Sequence, residues 1–234
     1  MSGAASFLSD SRFFSLLLTL SVYLLAAWLH RKTRSALLNP ILISALLIIP
    51  VLLFLKIPVE AYQEGTEVLS FLLTPATICL ALSLYTQLQK LKSGLPAILV
   101  GIAAGTAASL GTVFGLCLLF RLDSSVSISL LPKSVTTAIG LALSEEGGGI
   151  ASLTAAVITL TGLLGNLFGA ILCRIFHISD PIARGVAYGT ASHVIGTSRA
   201  IEESSLTGAV SSLSLSVAGL LTALLFPLVQ AFLS

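Results

Sequence analysis

Charged residues are scarce in this chain of 234 residues. Lys, Arg, Asp and Glu together make up 9% of the sequence, whereas soluble domains carry roughly 25%. This composition excludes an ordinary soluble domain. The formal net charge is only +2, and no basic patch is present, so we expect no nucleic-acid partner.

Cysteines and catalytic motifs are equally sparse. Cys79, Cys117 and Cys173 lie in apolar segments, without a CxxC pattern or a nearby His at metal-ligand spacing. This pattern predicts neither disulfides nor a metal site. The sequence also lacks the GxSxG and HExxH motifs. We therefore expect no enzyme, no metal and no cofactor.

Long uncharged runs are abundant. A spanning helix needs roughly 20 mainly apolar residues, and six runs approach or exceed this length: 13–29, 35–55, 68–89, 94–120, 150–173 and 204–234. They predict an all-α polytopic integral membrane protein in a lipid bilayer. Met1–Arg12 lacks the basic region of a signal peptide, so we expect the first run to remain as a membrane helix.

The basic residues predict an orientation. His30-Arg31-Lys32-Thr33-Arg34 is the strongest cluster, and Lys90 with Lys92 forms the second. Short loops rich in Lys and Arg stay on the cytoplasmic side. This rule predicts that the N-terminus is outside and that the protein lies in a bacterial cytoplasmic (inner) membrane.

Two segments of the second half, 126–146 and 183–203, are long enough to cross a membrane but are unusually polar. Polar backbone at membrane depth is tolerated where it lines a cavity or is buried in protein. We predict about six spanning helices plus two broken or re-entrant helical segments, with up to eight crossings. The segments carry these charged or titratable residues: Lys133, Glu145, Glu146, Arg184, His193, Arg199, Glu202 and Glu203.

An internal repeat relates these segments at an offset of about 56–57 residues. Residues 126–177 resemble 183–234, each unit being one polar segment and one apolar helix. We predict one membrane domain, 1–234, in which 1–122 is an N-terminal four-helix part and the two units carry the site. With re-entrant segments the repeat is inverted, as in secondary transporters, and the loop after residue 173 lies inside; with full crossings that loop lies outside.

The first candidate constellation follows Pro132, which frees backbone groups. Lys133, Ser134, Thr136 and Thr137 place an ammonium and three hydroxyls near a half-helix N-terminus, which attracts anions. We predict that they bind substrate. The alternative is that Lys133 only extends to the membrane interface while the hydroxyls bond to the backbone.

The second constellation surrounds His193 and Arg199. His193 can titrate near neutral pH, and Arg199 can bind a carboxylate through two hydrogen bonds. Alternatively, Arg199 pairs with Glu202 or Glu203 on its own helix, and His193 is a buried structural residue. The predicted substrate-binding residues here are Thr190, Ser192, His193, Gly196, Thr197 and Arg199.

Other polar residues have weaker indications. Glu145 and Glu146 are either a coupling site for a cation or proton, or solvated loop residues. Asn166, between Gly165 and Gly169, lines the cavity or supports close helix packing. Asn39 and Thr74, beside Pro40 and Pro75, are further candidates for the cavity lining.

These motifs resemble the LrgB/CidB family. The resemblance rests on residues 131–137, on Leu153-Thr154-Ala155, and above all on the GTASH run at 189–193 followed by Gly196-Thr197, Arg199-Ala200 and Glu202. Ala138, Gly147 and Ala151 depart from the family pattern, which usually has Pro, an apolar residue and Pro.

The resemblance implies two roles. Members are described as partners of small holin-like membrane proteins that control murein hydrolase activity and autolysis, while relatives transport pyruvate, glycolate or glycerate. We expect a transporter of small monocarboxylates, with proton coupling as an option, in which Lys133 and Arg199 hold the substrate. The alternative is the regulatory partner of a holin-like protein. A homo-oligomer is compatible with both.

Overall fold

The computed structural model describes residues 12–33, 40–72, 75, 78–79 and 94–232. Among these residues every regular element is a helix. The chain divides into two compact units, Met1–Ile78 and Cys79–Ser234. Asn39 and Thr74, two of the predicted cavity-lining residues, lie outside the described residues.

The first unit contains four described helices. The long helix α1 packs against α2 and α3, and Thr19 Oγ1 lies 2.6 Å from the hydroxyl of Tyr62. Lys32 lies 5.2 Å from the ring centroid of Trp28, a pairing typical of a membrane–water interface. The helices are α1 (Arg12–Thr33), α2 (Pro40–Leu55), α3 (Val59–Gly65) and α4 (Glu67–Phe71).

The second unit contains six described helices, three of which are long and apolar enough to cross a membrane: α5, α8 and α10. With α1 they make four candidate spans in the described residues, and α2 is a shorter apolar helix. The predicted class, an all-helical membrane protein, is confirmed. The helices are α5 (Leu95–Leu119), α6 (Ser124–Leu130), α7 (Thr137–Gly147), α8 (Ala151–Ile175), α9 (Pro181–Glu203) and α10 (Ser205–Gln230).

Helices α5 and α8 end in the same way. Arg121 and His177 have φ values of 51° and 55°, and the next residue donates its N–H five residues back: Leu122 to the Cys117 carbonyl at 3.0 Å, and Ile178 to the Cys173 carbonyl at 2.7 Å. This left-handed closure satisfies carbonyls that a helix end leaves free. A basic side chain there also interacts favourably with the helix dipole.

Residues 124–147 form a helical hairpin, hairpin 1, made of α6, a turn at 131–136, and α7. The end of α7 and the start of α8 lie beside α6. The Ile150 N–H donates to Ser129 Oγ at 2.7 Å, and Thr154 Oγ1 donates to the Ser129 carbonyl at 3.1 Å. A Cβ added to Gly147 would come within 2.9 Å of Ile128. The first polar segment therefore reverses direction at its proline-containing turn.

Helix α9 is also a hairpin, hairpin 2, with arms 181–192 and 194–203. The reversal occurs at His193, whose φ of 42° and ψ of −138° are not helical. Arg184 Nη2 lies 2.7 Å from Glu203 Oε1, and the Tyr188 hydroxyl donates to the same oxygen at 2.9 Å. These contacts close the base of the hairpin.

The two hairpins approach α8 from opposite ends. Hairpin 1 is held at the start of α8, through Ile150 and Thr154, whereas the base of hairpin 2 shares a cavity with Cys173 and Arg174 at the end of α8. Their turns converge on Ile158: its carbonyl lies 2.9 Å from His193 Nε2, and its side chain fills the space beside Gly140.

Candidate functional site

Lys133 lies in the turn of hairpin 1, between buried neighbours. Its ammonium group donates to Ser134 Oγ at 2.9 Å, and that oxygen lies 3.0 Å from Ser109 Oγ on α5. Within the described ranges, no carboxylate lies within ion-pair distance of Lys133. The hydrogen bond to Ser134 does not neutralise the ammonium charge, so Lys133 is able to attract an anion.

A cavity of about 380 Å³ adjoins Lys133, and we call it the lysine cavity. Three elements line it: the turn of hairpin 1, one face of α5, and the first arm of hairpin 2. It therefore brings together the two polar segments that the sequence singled out. Its lining residues are Gly105, Ala108, Ser109, Thr112, Lys133, Ser134, Ala187, Thr190 and Ala191.

A smaller enclosed pocket lies next to this cavity and shares Ser109, Ser134 and Thr190 with it. Its free volume of about 10 Å³ has room for roughly one oxygen atom. Thr106 also lines it, and the Thr106 Oγ1 atom is buried without a hydrogen-bond partner among the described residues. The Thr222 hydroxyl completes this hydroxyl pocket.

The residues at the turn of hairpin 2 are engaged with the protein itself. His193 Nε2 lies 2.9 Å from the Ile158 carbonyl. Thr197 Oγ1 donates to the His193 carbonyl at 2.8 Å and lies 2.8 Å from Ser211 Oγ. Ser192 is buried against Gly165, and Gly196 lies against Tyr188 and Ser192. These contacts agree with the alternative in which His193 is a buried structural residue.

Arg199 lies in a different cavity from Lys133. It pairs with Glu202 at 2.8 Å and approaches Glu203 at 3.9 Å, as the ion-pair alternative predicts. This second cavity, the arginine cavity, measures about 670 Å³ and lies at the base of hairpin 2. The structure thus does not bring Lys133 and Arg199 to one substrate position, because the second arm carries Arg199 about 9 Å from the turn.

The remaining predicted site residues lie away from the lysine cavity. Thr136 is half-buried and Thr137 exposed at the start of α7, and Glu145 and Glu146 are exposed near its end. Asn166 Nδ2 donates to the Ile195 carbonyl at 2.9 Å, so this amide holds the second arm of hairpin 2 against α8.

Helix α5 contributes to the site although none of its residues is among the predicted site residues. Thr106, Ser109 and Thr112 recur on one face of this helix and bring hydroxyls to the site. The signal was weak because hydroxyls on an apolar helix usually bond to their own backbone, as Thr112 does with the Ala108 carbonyl at 2.6 Å. In the part of the chain that the structure describes, no group of three His, Cys, Asp or Glu residues could hold a metal.

These features define an all-helical membrane protein whose polar site is built from interrupted helices. The LrgB-like family matches residues 19–232, and the chain belongs to that family. It is 35% identical to the uncharacterized protein YwbG of Bacillus subtilis over 219 residues, which cover 94% of this chain and 97% of YwbG.

Two further relatives have descriptive names. The holin-like protein CidB of Staphylococcus aureus (strain N315) is 34% identical over 212 residues, covering 91% of this chain and 93% of CidB. The antiholin-like protein LrgB of Bacillus subtilis is 34% identical over 218 residues, covering 93% and 94%. The predicted family is therefore confirmed. No solved structure shows significant similarity to the chain.

Proposed function

We propose that this protein transports small monocarboxylates across the membrane, and that Lys133 binds the carboxylate. The observation that carries the proposal is a cation without a carboxylate partner among the described residues, in a hydroxyl-lined cavity formed by both hairpins. Charged side chains at membrane depth cost free energy, and they mark ion or substrate pathways. The volume of about 380 Å³ suits a small ligand.

The arrangement of the hairpins supports alternating access. Equivalent positions of the predicted repeat make equivalent contacts. A Cβ on Gly162 of α8 would come within 2.9 Å of Ile195 in hairpin 2, and one on Gly219 of α10 within 2.9 Å of Ile139 in hairpin 1. Each long helix thus packs against the hairpin of the other unit. Inverted units of this kind hold substrate between interrupted helices in secondary transporters.

Hydroxyl contacts also join each long helix to the hairpin of its own unit. Thr154 of α8 lies 2.7 Å from Ser144 in the returning arm of hairpin 1. Ser211 of α10, at the position equivalent to Thr154 in the repeat, lies 2.8 Å from Thr197 in the returning arm of hairpin 2. These pairs support two units related as inverted repeats, with both hairpins re-entering the membrane from opposite sides. The proposed location is the bacterial cytoplasmic membrane, with the N-terminus outside.

The names of the relatives favour a second function. Holin-like CidB and antiholin-like LrgB point more directly to a regulatory partner of a small holin-like membrane protein, which would control murein hydrolase activity and autolysis. In this role the protein acts through contact with its partner, as a monomer or a homo-oligomer. The charge of Lys133 would then be dispensable.

Uptake into proteoliposomes separates the two functions. Purified protein alone would be reconstituted, and the uptake of labelled pyruvate, glycolate and lactate measured with and without a pH gradient. Transport predicts saturable uptake that Lys133→Ala abolishes and that Arg199→Ala, in the other cavity, largely retains. Stimulation by the gradient would establish proton coupling.

The regulatory function predicts the opposite result. Well-folded protein would take up none of the three acids, and Lys133→Ala would still restore normal autolysis in cells that lack the native protein. Equal loss of uptake in Lys133→Ala and Arg199→Ala would keep transport but would contradict the assignment of the lysine cavity as the substrate position.

A further inference from the structure

An apolar groove of about 700 Å³ runs between α8 and the first arm of hairpin 2. Leu164, Phe168 and Leu172 of α8 line it together with Phe176, which follows the helix, and each of these residues is between 44% and 69% exposed. The groove contains almost no polar surface. Its shape and chemistry suit a hydrocarbon chain rather than a polar ligand.

The groove is continuous with the arginine cavity, because Cys173 and Ile178 line both. That cavity carries three arginines, Arg174, Arg184 and Arg199. Arg184 pairs with Glu203 and Arg199 with Glu202, so Arg174 leaves the cavity with a net positive charge. An apolar channel thus leads directly to a positively charged end. The combination matches an amphiphile with an anionic head.

Several donors in the arginine cavity are unused by the protein. Arg174 and His177 are exposed, and neither forms an ion pair with a carboxylate of the described ranges. Arg184 Nε is buried without a hydrogen-bond partner there, although Arg184 Nη2 pairs with Glu203. Guanidinium groups bind phosphate through parallel hydrogen bonds, so these donors suit a phosphate group.

The position along α8 supports the same ligand. Arg174 lies in the last turn of this candidate span, and His177 caps its end in the left-handed conformation. The end of a span lies at the depth of the lipid headgroups. Basic pockets between membrane helices at this depth bind anionic lipid heads.

We propose that an anionic phospholipid binds here, with an acyl chain in the groove and its phosphate on Arg174, His177 and Arg184. Arg184 belongs to the first arm of hairpin 2 and Arg199 to the second, and both line the arginine cavity. The bound phosphate therefore contacts the base of the hairpin whose first arm lines the lysine cavity. This proposal stands independently of the transported substrate.

Native mass spectrometry of the full-length protein tests the proposal. Detergent-purified protein would be titrated with phosphatidylglycerol and with phosphatidylcholine of the same acyl chains. We expect a bound phosphatidylglycerol that resists dissociation, and much weaker binding of phosphatidylcholine. Replacing Arg174 and His177 together by Gln should weaken phosphatidylglycerol binding by at least about fivefold, which is the loss expected for the Arg174 charge alone.

The matched control is Arg121→Gln. Arg121 has the same left-handed position at the end of α5 as His177 has at the end of α8, but it lies outside the arginine cavity. This variant should bind phosphatidylglycerol as the wild type does. If the wild type does not distinguish the two lipids, or if Arg121→Gln weakens binding as much as the double variant, the site is not where we place it.

Two further measurements identify the ligand that occupies the groove. Short-chain phosphatidylglycerol should bind more weakly than the long-chain lipid, because less apolar surface is buried in the groove. Inorganic phosphate should protect the protein against thermal unfolding much less than phosphatidylglycerol does. If inorganic phosphate protects the protein equally, the site binds free anions. If the native mass is that of a lipid-free dimer, the groove is a subunit interface. Either result overturns the proposal.

Discussion

Arg184 and Glu203 lie near opposite ends of α9, yet their side chains meet at 2.7 Å across the base of hairpin 2. Tyr188 donates to the same carboxylate. The Glu203 side chain is only 14% exposed, so the pair is shielded from water more than a surface ion pair is. The contact converts a helix with a break into a closed hairpin.

The first prediction concerns this ion pair. Arg184→Gln and Glu203→Gln should each destabilise the protein, and a double-mutant cycle should give a coupling free energy of about 1 to 3 kcal/mol. The measurement is thermal unfolding in detergent. The more exposed pair Arg199–Glu202 is the control, with a coupling below about 1 kcal/mol. Equal coupling in both cycles would contradict a special role for the base of the hairpin.

The second prediction concerns Gly189. A Cβ at this position would overlap the Ser211 carbonyl and Ser214 of α10, so Gly189→Ala should destabilise the protein by about 1 to 3 kcal/mol. Gly111→Ala is the control, since no atom of the described residues lies within 4 Å of a Cβ there. The control should be neutral or stabilising by up to about 1 kcal/mol, because alanine favours the helix. Thermal unfolding of both variants checks this difference.

The third prediction separates strain from bonding at His193. Its backbone lies at φ 42° and ψ −138°, a region that strongly favours glycine. Both His193→Gly and His193→Ala lose the contact with the Ile158 carbonyl, but only alanine retains the strain. The glycine variant should therefore be more stable than the alanine variant by about 1 kcal/mol. The reverse order in unfolding experiments would argue against the reversal at this residue.

The fourth prediction tests the hairpins by labelling single cysteines from either side of the membrane. Positions Ser124 and Gly148, at the two ends of hairpin 1, should label from one side. Ser179 and Ser205, at the two ends of hairpin 2, should both label from the other side. The single-cysteine variants would be made in a protein in which Cys79, which is exposed, has been replaced. Labelling of Ser124 and Gly148 from opposite sides would show that the first polar segment crosses completely.

The fifth prediction rests on the proposed transport. The Thr106 hydroxyl, which has no hydrogen-bond partner among the described residues, is suited to bond with the second oxygen of a hydroxy acid. Thr106→Val should therefore raise the KM for glycolate by about threefold to tenfold. Thr112→Val is the control, because the Thr112 hydroxyl is already bonded to the Ala108 carbonyl. If the KM of Thr106→Val is unchanged while the wild type transports glycolate, the role of the hydroxyl pocket is contradicted but the proposed transport is not.

Much of the architecture was readable from the sequence because its signals are local. Long uncharged runs predicted the helices that became α1, α5, α8 and α10. Pro132 predicted a break in the first polar segment, and the break occurs at 131–136. The glycines and hydroxyls around His193 predicted a break in the second segment, and the non-helical backbone is at His193 itself.

The composition of the site was less predictable because it depends on where the chain reverses. Arg199 and Thr190 lie in the same short motif, yet the reversal at His193 sends Arg199 to the base of hairpin 2 while Thr190 lines the lysine cavity. Sequence spacing alone does not reveal on which arm a residue lies. The face of α5 is a long-range contribution, and no local pattern linked Ser109 with Ser134.

The contact between Gly219 and Ile139 has a consequence for biosynthesis. Two further helices, α8 and α9, separate hairpin 1 from α10 in the chain, and the ribosome produces α10 after all of them. Hairpin 1 therefore lacks its α10 neighbours, Gly219 beside Ile139 and Ala218 and Thr222 beside Ser134, until translation is nearly complete. We therefore expect a chain truncated before α10 to leave this face of hairpin 1 unpacked, and to be degraded faster in cells than the full-length protein.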